Sequence, residues 1–169
     1  MAKAGIVLTG QAGSGLVLLK DAKSGKWSAP AAVATAGGGV GPQGGWDVTD
    51  VVLFFKTETA TEAFKGAYQL AAGVSGGVAL GPFGRQGNAH VHLRLGSKKL
   101  AVAYALSWSK GFFLGAALDA KVVTALEARN ASVYGPAHAS LEEVLGGTVA
   151  PPAEAKPLYV ALDKFLGAQ

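Results

Sequence analysis

Glycine is what most constrains how this chain can fold. Its 25 glycines in 169 residues are spread in short blocks, as in Gly13-Ser14-Gly15 and Gly37-Gly38-Gly39-Val40-Gly41. That is about twice the usual share. Dispersed glycine of this kind suits tight turns and close backbone approaches between short strands, not a collagen or a linker. Between two such blocks stands Lys26-Trp27-Ser28-Ala29-Pro30, with one large aromatic between a lysine and a strand-breaking proline. This order of parts points to a binding module rather than to an enzyme.

Composition narrows the class. Hydrophobic residues make up 50% and charged residues 15%, against a usual charged share of roughly a quarter, so disorder is excluded. The length suits one domain with its own core. Without cysteine there are no disulfides, thiolate metal sites or thiol nucleophiles. No apolar run is long enough for a membrane helix, and the first residues do not have signal-peptide order. The formal net charge of +4 favours anionic membranes or acidic protein surfaces. It is too dispersed to indicate nucleic acid.

Residues 5–20 read as a β-hairpin turning near Gly10 to Gly13, and 31–45 as a loop or close-packed segment. Trp46 to Phe55 reads as a strand and Thr57 to Phe64 as a helix. Residues 68–80 read as glycine-broken β structure, followed by a turn at Gly81-Pro82-Phe83-Gly84-Arg85. Ala89 to Leu95 alternates strictly, with His90, His92 and Arg94 on one face. Lys98-Lys99 marks a turn, and Leu100 to Ser107 and Phe112 to Val123 are strands. Ser140 caps a helix to Leu145, and Glu154 to Leu166 is an amphipathic helix. The expected class is α+β: a mostly antiparallel β-sheet, able to curl toward a barrel, with a few packed helices.

Several motifs recur in one order. They are Lys3-Ala4-Gly5, Gly13-Ser14-Gly15, Trp27-Ser28-Ala29-Pro30, Val48-Thr49-Asp50, Ala63-Phe64 and Gly81-Pro82-Phe83-Gly84-Arg85. Ser109-Lys110-Gly111-Phe112-Phe113-Leu114-Gly115 follows, then Asn130 with Tyr134, and Val144-Leu145-Gly146-Gly147 before Pro151. Each is weak alone. Together, over nearly the whole chain, they resemble the SYLF domain family, lipid- and actin-binding modules of endocytic and trafficking proteins and of bacterial lipoproteins. Leu106 and Trp108 stand where the family carries a Tyr and a basic residue, and Asp119-Ala120 replaces a Glu-Gly. The resemblance implies a helical lead-in before residue 1, so that 1–169 is a single domain without that segment. It also implies cytoplasmic placement at endosomal or plasma membranes, with a bacterial envelope protein as the other branch. The implied function is non-enzymatic binding of anionic phospholipids, phosphoinositide headgroups first, with actin-filament binding as the alternative and no cofactor.

Candidate binding residues are the turn lysines Lys20, Lys23, Lys26, Lys98, Lys99 and Lys110, able to grip phosphate headgroups beside an indole. Trp27, Ser28, Pro30, Asp50, Arg85, Gly111, Asn130 and Tyr134 are motif residues that serve either binding or the fold. Trp27 reads more readily as core. Arg85 reads as the partner of a buried acid such as Asp50. His90 with His92, and Asp47 with Asp50, lack the further ligands a metal site needs, so none is assigned. The paired aromatics Phe54-Phe55 and Phe112-Phe113 point to opposite strand faces, and both faces are expected to be covered. No nucleophile elbow or phosphate-binding glycine loop is present.

Overall fold

The computed structural model describes residues 2–21, 24–55, 68–81, 83–94 and 100–167. Five strands precede three helices: β1 Ala2–Val17, β2 Ala31–Phe55, β3 Tyr68–Gly81, β4 Phe83–Arg94 and β5 Leu100–Ala125, then α1 Glu127–Tyr134, α2 Leu141–Leu145 and α3 Lys156–Gly167. The strands form one sheet in the order β1-β2-β5-β3-β4, with β4 also pairing the start of β5. β3 pairs antiparallel with β4 and with β5, and β4 with β5. The α+β, mainly antiparallel class is as expected. Among the described residues the sheet is open rather than barrel-like, with β1 at one edge.

The expected hairpin turn in the first strand is absent. Residues 2–17 form one strand, because Gly10, Gly13 and Gly15 do not take the positive φ that a hairpin turn would require. Of the two readings for residues 31–45, the close-packed one agrees with the structure, where they belong to the long strand β2 rather than to a loop. Its glycines let β5 approach. A Cβ on Gly37 would strike Lys121 and one on Gly39 the Asp119 carboxylate, while Gly115 and Gly111 of β5 lie against Gln43 and Asp47. Positions rising along β2 meet positions falling along β5, so this pair is antiparallel too. The expected helix at Thr57–Phe64 lies outside the described residues.

The chain divides into two compact units, residues 1–15 with 33–124, and residues 16–32 with 125–169. The first holds the body of the sheet. In the second, a hairpin brings Lys20 opposite Trp27 and turns between Asp21 and Lys26, with Gly25 in the left-handed region at φ 68°. Its core contains Ala29, Ala31, Leu141, Val144 and Leu145. Ser140 accepts from the Glu143 N–H, and the Glu143 carboxylate accepts from the Ser140 N–H. This capping box starts α2 where the sequence places it. Helix α1 carries no capping side chain, which is why the sequence pattern does not reveal it.

Candidate functional site

The Trp27-Ser28-Ala29-Pro30 motif sits inside the second unit, where side chains from α1 and α3 grip its backbone. The Ser28 N–H donates to the Leu19 carbonyl (2.7 Å), and the Leu19 N–H donates back to Ser28 Oγ (2.9 Å). The Tyr159 hydroxyl donates to the Ser28 carbonyl (3.0 Å), and the Tyr134 hydroxyl to the Pro30 carbonyl (2.7 Å). Asn130 Oδ1 accepts from the Ala32 N–H (2.8 Å), and its Nδ2 donates to the Ala139 carbonyl (3.1 Å). Asn130 is 1% exposed. The irregular segment that leads into β2 leaves backbone groups with no ladder partner, and these side chains supply one. Ser28, Pro30, Asn130 and Tyr134 are therefore tied to their neighbours by hydrogen bonds within this unit.

Trp27 is half-buried rather than core. Its indole N–H donates to Asp163 Oδ1 (2.9 Å), the same oxygen that receives Lys20 Nζ (3.2 Å), and Lys20 lies 5.2 Å from the ring centre. Lys20 is thus engaged by an acid of α3 that the sequence reading did not single out. The Trp27 and Lys20 hydrogen bonds hold the Asp163 carboxyl below the usual carboxylate range. A depressed native pKa gives stability that is present above the unfolded value and lost as pH falls through the folded one. Asp163→Asn should therefore flatten the acid limb of stability below about pH 4, read by far-UV circular dichroism against pH. An unchanged limb contradicts this role.

Burial raises the Tyr134 hydroxyl pKa, with Tyr159 adding to it, and burial raises that of Tyr159. A raised native pKa gives stability that is full below the unfolded value and lost as pH rises through the folded one. Ionised, neither phenol can donate to its carbonyl. Tyr134→Phe and Tyr159→Phe should each cost about 1 kcal/mol at neutral pH. The double variant should lose less stability than wild type between about pH 10 and 12, as urea titrations at each pH would show.

The first unit has its polar side inward. Thr9, Gln11, Gln43, Asp47, Thr49, Ser109 and Asp119 are buried. Gln43 donates to Thr9 (3.1 Å), Gln11 to Asp119 (3.2 Å), Thr49 bonds Asp47, and Thr49 meets Ser109 (2.9 Å). The opposite face exposes Trp46, Trp108, Phe112, Leu114 and Leu118. This corrects the expectation that both faces are covered. The signal was present in β5, where Trp108, Phe112, Leu114, Leu118 and Val122 occupy even positions while Ser109, Gly111, Gly115 and Asp119 occupy odd ones, with Phe113 and Val123 as the large apolar exceptions.

Lys26 and Lys110 are exposed. Lys23, Lys98 and Lys99 lie outside the described residues. Asp50 is exposed, so it is not a buried acid awaiting Arg85, whose side chain also lies outside what is described. Asp47 is 2% exposed and faces away from Asp50, as residues three apart on a strand must, so the two cannot share a cation. The His90 and His92 side chains are outside the described set. Gly111 is buried against β2 with φ 140° and serves the sheet.

Fold and side-chain placement define an α+β module in which Ser28, Pro30, Asn130 and Tyr134 meet backbone or side-chain partners, while one face of the sheet exposes large apolar residues. A family model for Ysc84, described as "Las17-binding protein actin regulator", matches residues 36–165. The chain belongs to this family, in agreement with the SYLF resemblance. It is 33% identical over 161 residues to LAS seventeen-binding protein 3 of Saccharomyces cerevisiae, covering 95% of this chain and 34% of that protein. It is 36% identical over 163 residues to SH3 domain-containing YSC84-like protein 1 of Xenopus laevis, covering 96% and 47%. The chain thus spans between a third and half of the length of these relatives. No solved structure matches it.

Proposed function

We propose that this chain is a non-enzymatic binding module of the endocytic actin machinery, and that it attaches to actin filaments. The observation that carries this reading is its membership of a family described as a Las17-binding actin regulator, reinforced by the name of the yeast relative. Formal charge of +4 suits an acidic filament surface. Asp163 engages Lys20, and among the candidate turn lysines Lys26 and Lys110 are exposed. Co-sedimentation should bring the chain down with filaments at low salt and release it as salt screens the charges. Lys26→Glu and Lys110→Glu should each weaken pelleting by about two- to fivefold. Absence from the low-salt pellet contradicts the reading.

A second reading, attachment to phosphoinositide headgroups at the cytoplasmic side of endosomal or plasma membranes, is favoured by one feature. Lys110 stands exposed on the strand face that also exposes Trp108 and Phe112, a cation among rings suited to a membrane interface.

A further inference from the structure

We propose that the even-numbered face of β1, β2 and β5 rests on the hydrocarbon of one bilayer leaflet. Ile6 is 79% exposed, Leu114 67% and Leu118 68%, and Leu8, Val40, Val48 and Val122 share the face. The reverse face is buried and polar, so the sheet is inverted relative to one that packs a water-soluble core. Among the described residues of this face, only Asp50 and Lys110 carry charge. Both stand at the end where Trp46 meets Phe112 edge-on at 6.1 Å, with Trp108 nearby on the same face.

That gradation selects the occupant. Protein interfaces concentrate Trp, Tyr and Arg anchors at their centre inside a polar rim, and Leu and Val are under-represented among their hot spots. Here the body is aliphatic and uncharged, while rings and a lysine gather at one end. Surfaces facing lipid have this order, with aromatic and basic residues at headgroup depth beside an aliphatic band. Lys110 complements the negative charge of lipid phosphate there. The edge strand β1 presents backbone groups that hydrocarbon cannot satisfy. The face therefore lies in one leaflet at shallow depth instead of spanning the bilayer.

This deepens the membrane reading and differs from it in driving force, since apolar contact needs neither anionic lipid nor low salt. The test mixes the 169-residue chain with phosphatidylcholine vesicles whose acyl chains carry bromine. Partition should persist at moderate salt, and bromine should quench tryptophan emission, with less quenching in Trp46→Phe and Trp108→Phe. Leu118→Glu, at an exposed position, should melt like wild type and partition about tenfold or more weakly. Partition without quenching, or Leu118→Glu partitioning like wild type, overturns the proposal. So does a vesicle-free dimer that Leu118→Glu dissociates, which would assign the face to a second copy. A parallel arm with phosphoinositide vesicles separates the two membrane ideas. Salt-sensitive binding there without quenching upholds headgroup attachment and overturns this proposal. Quenching on phosphatidylcholine with no gain from phosphoinositide does the reverse.

Discussion

Gly111→Ala should destabilise the chain by about 3–5 kcal/mol, enough to remove much of the stability of an ordinary domain. Gly111 sits at φ 140°, a region reserved almost wholly for glycine and costing other residues about 1–3 kcal/mol. An added Cβ would also press on the Trp46 carbonyl oxygen and lie 2.8 Å from the Asp47 Cα. Both are backbone of the adjoining strand and cannot swing aside, so overpacking adds about 1–3 kcal/mol. The same substitution at Gly10, where a Cβ would meet nothing within 4 Å, should stay within about 0.5 kcal/mol of wild type. Urea unfolding of both variants checks this. A Gly111→Ala midpoint matching that of Gly10→Ala would mean β5 does not approach β2 this closely.

Asn130→Ala should cost about 2–4 kcal/mol. It removes the acceptor of the Ala32 N–H and a donor to the Ala139 carbonyl, and a buried polar group left without a partner costs about 1–3 kcal/mol. The Ala32 carbonyl keeps the Leu126 N–H (2.9 Å), which bounds the loss. Asn130→Asp distinguishes hydrogen bonding from packing. It retains the acceptor but directs a carboxylate at a carbonyl, so it should be about as damaging at neutral pH. It should recover toward pH 4, where a protonated carboxyl donates again. Equal damage at both pH values would point to shape rather than to these bonds.

The parts of the fold legible in the sequence were those governed by local chemistry. The alternation at Ala89–Leu95 gave β4, and Ser140 with acidic residues in the following turn gave α2 and its cap. The length of β1 and β2 was not legible, because glycine marks a turn and a close strand crossing with the same letter. Only the neighbour, such as Asp47 against Gly111, separates them. Trp27 and Asn130 stood out as motif residues, yet their roles depend on partners 136 and 98 positions away in sequence. Asp163 and Tyr159 belong to no motif and became visible only through those contacts. The exposed apolar face was written in the alternation of β5, but the habit of placing apolar residues inside assigned it to a covered layer.

Under the proposed function, the Trp-Ser-Ala-Pro, Asn130 and Tyr134 motif residues secure the fold while exposed groups such as Lys110 carry binding. Filament co-sedimentation of wild type, Tyr134→Phe and Lys110→Glu, each at low salt and at a temperature where it remains folded, tests this most directly. Tyr134→Phe should pellet like wild type, and Lys110→Glu should be depleted about two- to fivefold. Loss of pelleting by folded Tyr134→Phe, with Lys110→Glu unaffected, would contradict it and move the binding surface onto the motif itself.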